Sequence, residues 1–147
     1  MKTEEPTIVE LEKPIYTPVF KPQKAGNTEL LRICNEDDLT RIDFLYRPDA
    51  RYMNGGWAQI APQSFIRPIG TESKLMLVKA VNIPYAPNKH YFKSHKEILA
   101  YTLYFPRVPA GTTAIDIIEK ETSDPTYFNF YSIPIQQVRT KVLKVGS

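Results

Sequence analysis

The residues of this chain best suited to chemistry are His90, His95, Cys34 and the carboxylates of Glu36-Asp37-Asp38, Glu119 and Glu121. His90 and His95 are the only two histidines, and their spacing of five would let them share a metal ion. Glu97 is the one adjacent carboxylate, and no nearby Cys or Asp completes the three or four donors such a site usually takes. No metal centre is therefore expected. Cys34 with a distant histidine could form a nucleophile–base pair. It stands in a strand-like run of alternating apolar residues, however, where a thiol is ordinarily a core side chain. The acidic trio Glu36-Asp37-Asp38 falls in a turn-like cluster and lacks the alternating ligands and glycine of a calcium loop. The chain contains no G-x-S-x-G, Walker A loop, Rossmann glycines, C-x-x-C or H-E-x-x-H. The expectation is a protein with no catalytic residue and no cofactor.

Recognition chemistry is concentrated in residues 82–97. Lys89, His90, Lys93, His95 and Lys96 are interleaved there with Tyr85, Tyr91 and Phe92. Cations among aromatics can grip a sugar, a phosphate or a protein surface. The same stretch also suits a long β-crossover, with aromatics capping the core and lysine stems covering apolar surface. Tyr85, Lys89, Tyr91, Phe92, Lys93 and Lys96 are the candidate partner-binding residues. Trp57, which follows Gly55-Gly56, could be a ligand platform; the commoner use is a core tryptophan between sheets, and it is assigned to the core.

The elements that must position these residues read as strands. Segments 28–34 and 39–46 flank the turn cluster Asn35-Glu36-Asp37-Asp38, and Ile42, Phe44 and Tyr46 alternate with Arg41, Asp43 and Leu45. Asn54-Gly55-Gly56 breaks the chain before a strand at 57–61, and 65–69 continues it after a bulge. Residues 74–82 form another strand, with apolar residues on both faces. In 98–105, Leu99, Tyr101, Leu103 and Phe105 share one face. Residues 112–119 follow with Ile115 and Ile117 on one face, and 127–138 closes the series with Phe128 and Phe130. The expected core is Ile33, Ile42, Phe44, Trp57, Leu103, Phe105, Ile115, Ile117, Phe128 and Phe130.

These are seven or eight short strands separated by turns, the pattern of an antiparallel sandwich or small barrel. Residues 1–26 form a proline-rich extended segment with one edge strand near 7–12. The sandwich occupies 27–140, and 141–147 is a tail. Composition agrees: 147 residues suit one domain, and 13 prolines disfavour long helices. The net charge of +3 is spread along the chain, without the basic stripe of a nucleic-acid binder. No apolar run is long enough to span a membrane. Met1-Lys2-Thr3-Glu4-Glu5-Pro6 lacks the apolar core of a signal peptide. Such a start fits a cytoplasmic chain, or the mature end of an exported one that would be periplasmic, cell-surface or secreted.

From Leu30 onward the order of motifs carries a resemblance. Leu31-Arg32-Ile33-Cys34 and Thr40-Arg41-Ile42-Asp43-Phe44 precede Gly56-Trp57-Ala58-Gln59-Ile60 and Phe65-Ile66. Ile83-Pro84, Pro87, His90 and Tyr91-Phe92 come next. Thr102-Leu103-Tyr104-Phe105-Pro106, Ile115-Asp116-Ile117-Ile118-Glu119 and Phe128-Asn129-Phe130-Tyr131-Ser132-Ile133 end the series. Over residues 28–136 the chain resembles immunoglobulin-like β-sandwich domains of envelope and secreted proteins in Bacteroidetes-type bacteria. That resemblance implies an accessory module beside a catalytic or anchoring domain, and no catalytic residue. The expected function is a non-enzymatic protein-interaction module of a bacterial envelope assembly. A carbohydrate- or small-ligand-binding sandwich that uses Tyr and Trp side chains is the alternative.

Overall fold

The computed structural model describes residues 23–48, 51 and 54–135, together with the backbone of 14–16. The chain opens with β1 (Pro14–Tyr16), β2 (Gln23–Ala25), β3 (Thr28–Glu36) and β4 (Leu39–Tyr46). The expected hairpin is β3–β4, antiparallel from Thr28↔Tyr46 to Glu36↔Leu39. Its turn tightens to Asp37-Asp38, with Asp37 at φ 55°, the left-handed conformation that short hairpin loops demand. β2 and β3 make a second hairpin around Gly26-Asn27, where Gly26 has φ 61°. β1 and β2 lie along the same outer edge of β3.

The remaining strands are β5 (Trp57–Ala58), β6 (Phe65–Pro68), β7 (Leu75–Met76), β8 (Lys79–Val81), β9 (His90–Tyr91), β10 (Leu99–Pro106), β11 (Ala114–Ile118) and β12 (Asn129–Pro134). The first sheet has the order β1-β3-β4-β10-β8, with β2 also on β3; the second has the order β12-β11-β6-β7. All strand pairs are antiparallel. Among the described residues there is no helix, and none long and apolar enough to cross a membrane. The chain is an all-β, antiparallel two-sheet sandwich. Six of the strands read from the sequence, at 28–34, 39–46, 65–69, 98–105, 112–119 and 127–138, overlap the six longer elements; the strand read at 57–61 is only the two residues of β5, and β1, β2 and β9 are added.

The sheets meet through alternate residues. Leu30, Ile33, Ile42, Phe44, Leu103 and Phe105 project from the first sheet, and Ile66, Ile115, Ile117, Phe130 and Ile133 from the second, into one buried cluster. Each such side chain contributes roughly 1.5–3 kcal/mol by leaving water. Phe44 stacks on Tyr101 at 5.2 Å within its own sheet and meets Phe128 at 5.2 Å and Phe130 at 6.0 Å across the interface. The outward positions of the first sheet carry charge: Asp43 accepts from Arg32 at 2.8 Å, Arg41 at 3.0 Å and Thr102 at 2.6 Å.

Two expectations change. Trp57 is not core: it is 42% exposed, because β5 alternates and sends Ala58 inward instead. Residues 74–82 are not one strand. Leu77 donates its N–H to the Ser64 carbonyl beside the second sheet, and Val78 donates to Tyr104 of the first, so the chain changes sheets between adjacent residues. The apolar residues on both faces belong to this crossing. The edge strand expected near 7–12, the part of the last strand beyond 135 and the tail 141–147 lie outside the described residues.

Candidate functional site

Apart from the two larger sheets, β5 and β9 form a separate two-stranded ribbon in which Trp57 faces Tyr91 and Ala58 faces His90. Alternation sorts its side chains. Tyr91 is 68% exposed, while the next residue, Phe92, is only 4% exposed. Phe92 stacks on Tyr46 at 5.5 Å with the rings 7° from parallel, and its N–H bonds the Gly56 carbonyl at 3.0 Å. Phe92 is therefore the pin of the ribbon, and its assignment as a partner contact is corrected. Two adjacent aromatics on extended backbone must point to opposite faces.

The other candidate residues stay on the surface. Lys89 lies over the Trp57 ring at 4.8 Å, a cation–π contact at the ribbon's outer face. Tyr85 is partly exposed, beside the parallel bridge Ile60↔Tyr85. Lys93 and Lys96 are exposed, and their backbone N–H groups bond Glu97 at 2.8 Å and the Ser94 hydroxyl at 3.1 Å. His90 pairs with the same Glu97 at 2.8 Å. These bonds hold Glu97 below the usual carboxylate range, the Lys93 N–H contributing most. Among the described residues no three His, Cys, Asp or Glu side chains gather as metal ligands. Cys34 is buried in β3, and burial pushes its thiol up, away from the reactive thiolate.

A second feature escaped the sequence. Two clefts, of about 640 and 630 Å³, open beside the ribbon, and Gln59, Glu119 and Tyr127 line both. The first continues to Phe65, Lys74 and Glu121, and the second to Tyr46, Trp57 and Tyr101. Glu119, just past the end of β11, is only 7% exposed. One carboxylate oxygen accepts the Ala61 N–H at 3.2 Å and the other the Phe128 N–H at 3.1 Å. Burial pushes the carboxyl up to about 7, against these two N–H groups, which favour the anion. The Gln59 Oε1 is buried with no donor among the described residues. Glu121, on the rim, is held below the usual range by Lys74 at 3.1 Å and by Arg67 at 3.4 Å. Tyr101 shares a hydrogen bond with Thr28, and burial drives its phenol far above the usual range. The signal for Glu119 was present in the period of two: it follows Ile115 and Ile117 on their inward face.

Comparison of the chain with protein-family models, with curated proteins and with solved structures gives no significant match.

Proposed function

We propose that this chain is a non-enzymatic interaction module, an accessory domain that offers the β5–β9 ribbon to a protein partner in a bacterial envelope assembly. One observation carries this reading. Trp57 and Tyr91 stand opposite each other on the ribbon, 42% and 68% exposed, while Ala58 and Phe92 fill the core behind them. Leaving two large aromatics together at the surface forgoes burial energy, and aromatics are the residues that dominate protein contacts. Lys89 lies over the Trp57 ring, and Lys93 and Lys96 follow Tyr91 in sequence with exposed side chains, so a partner with acidic groups around an apolar pocket suits this face. The immunoglobulin-like and envelope parts of the proposal come from the motif resemblance over residues 28–136 and from the two-sheet architecture.

The test begins with retention of a partner from native envelope extract on the immobilised domain, identification by mass, and purification of that partner. Trp57→Ala and Tyr91→Ala should each weaken the purified complex by at least about tenfold, the behaviour of interface hot spots. Equal affinity in both variants would remove the ribbon as the interface.

A further inference from the structure

We infer that Asn54 is a site of spontaneous covalent modification: the Gly55 nitrogen closes on the Asn54 side-chain amide, and the isoaspartyl product unseats the β5–β9 ribbon. This goes beyond the protein-contact proposal and does not rest on it.

The residue after an asparagine decides its fate. A cyclic imide forms when the main-chain nitrogen of that residue reaches the asparagine Cγ, and a side chain there obstructs the approach. Asn27, Asn35, Asn82, Asn88 and Asn129 each precede a residue with a side chain; of the six asparagines, Asn54 alone precedes glycine. Asn54 is exposed, in a turn. Neither its side-chain amide nor the Gly55 N–H has a hydrogen bond to another described residue. Other asparagine amides are held. Nδ2 of Asn82 donates to the Ala100 carbonyl at 2.6 Å, and Nδ2 of Asn129 donates to the Lys120 carbonyl at 2.8 Å.

In the first step the Gly55 nitrogen gives its proton to solvent and bonds to the Asn54 Cγ. The Cγ–Nδ2 bond breaks, and the nitrogen leaves as ammonia. Water then opens the imide. Attack at Cγ gives an ordinary aspartyl residue. Attack at the main-chain carbonyl gives an isoaspartyl link, whose main chain runs through Cβ and Cγ and is one methylene longer. Nothing is oxidised or reduced.

The seat of Gly55 gives that methylene its effect. Gly55 is buried, and a Cβ on it would lie 2.8 Å from the Ser94 carbonyl oxygen and 3.0 Å from the Cβ atoms of Phe92 and Pro48. A main chain lengthened immediately before Gly55 must therefore be taken up in a place already closely packed. The next two residues carry the ribbon. The Gly56 carbonyl accepts the Phe92 N–H at 3.0 Å, and Trp57 pairs with Tyr91.

The test keeps the full chain at physiological temperature in mildly alkaline buffer, beside a synthetic peptide of residues 51–58, until the peptide is converted. Peptide mapping by mass and enzymatic methylation of isoaspartyl groups locate the products. Asn54 should convert to both products while the other five asparagines stay intact. Asn54→Gln, whose longer side chain would need a six-membered ring, should not convert. In the separated isoaspartyl fraction, amide exchange of residues 56–58 and 90–92 should accelerate by at least about tenfold over unconverted protein, as a local opening does. Freshly purified Asn54→Asp brings the exposed charge without the methylene, and its exchange there should stay within about twofold of the parent. The inference is overturned if Asn54 is intact when the peptide has converted, or if another asparagine converts first. It is equally overturned if the isoaspartyl fraction exchanges like unconverted protein, or if Asn54→Asp accelerates exchange as much.

Discussion

Glu119 and Phe128 are tied to each other twice. The Glu119 N–H donates to the Phe128 carbonyl at 3.2 Å, and the Phe128 N–H donates to the Glu119 carboxylate at 3.1 Å. The Asn129 side-chain oxygen takes the Glu119 N–H as well, at 2.9 Å. With a further bond, from the Ala61 N–H to the other carboxylate oxygen, the Glu119 side chain joins the end of β11, the approach to β12 and the link between β5 and β6. A buried carboxylate satisfied in this way orders three segments beside the clefts it lines. Its desolvation opposes that gain.

That opposition makes stability depend on pH. The folded carboxyl is raised from 4.5 to about 7, so its contribution is complete below 4.5 and is lost as pH rises through 7. The parent protein should therefore be less stable at pH 8 than at pH 5, by on the order of 3 kcal/mol from this group. Carboxyls held low, such as Glu121 by Lys74 and Asp124 by the Thr126 N–H, complete their contribution at lower pH and do not mask the trend. Urea midpoints at the two pH values test this. In Glu119→Gln the difference should shrink by the same amount, and an undiminished slope would assign the effect elsewhere.

The core offers a sharper contrast. Phe44 is fully buried and touches Tyr101, Phe128 and Phe130. Phe44→Ala should cost roughly 3–5 kcal/mol, the transfer energy of the ring plus the cavity it leaves. Trp57→Ala removes a larger but exposed side chain, so its cost should stay below about 1 kcal/mol. Denaturant midpoints in the opposite order would mean that the inward and outward faces are exchanged.

How far the sequence carried this picture depended on whether one face of a strand is wet. In β3, β4 and β10, polar residues such as Arg32, Arg41, Asp43 and Thr102 mark the outer face, so Ile33, Ile42, Phe44 and Leu103 could be placed inward by alternation. Trp57 and Phe92 were assigned to the wrong sides because residue type says nothing about parity in, or just after, a strand of two residues. Their faces are set by pairing of β5 with β9, a contact across some thirty positions of sequence. The change of sheets at Leu77 and Val78 is equally non-local: it is written in hydrogen bonds to Ser64 and Tyr104. Of the six candidate site residues, Tyr85, Lys89, Tyr91, Lys93 and Lys96 are exposed and Phe92 is buried. The cleft itself was illegible, since it takes Gln59, Glu119 and Tyr127 from three separate segments.

Gly55 tests the seating of the ribbon. Its φ is +84°, and a Cβ there would lie 2.8 Å from the Ser94 carbonyl oxygen and 3.0 Å from the Cβ atoms of Phe92 and Pro48. Gly55→Ala combines a left-handed conformation with overpacking against backbone, at a cost of at least about 2 kcal/mol. The displacement should be felt first at Phe92 and Trp57. Amide exchange of residues 56–58 and 90–92 should accelerate more than that of β4 or β10. Uniform acceleration would show that the ribbon and the sandwich open as one unit.

The rings and the lysines of the ribbon should act on different rates. Lys89, Lys93 and Lys96 are exposed charges, so they act before contact by drawing an acidic partner in. Changing all three to Ser should slow association and flatten its salt dependence. Exposed charges contribute little to stability, so the unfolding midpoint should move little. Tyr91 acts after contact, by filling a pocket, and Tyr91→Ala should speed dissociation at nearly constant association rate. Phe92→Ala is the internal control. Phe92 stacks on Tyr46 beneath the surface, so its loss should lower stability first and binding only through disorder of the ribbon. Stopped-flow association at two salt concentrations, with dissociation followed by competition, separates the three variants. If all leave both rates unchanged and deletion of residues 1–20 abolishes binding, the N-terminal segment is the interface and the ribbon is not.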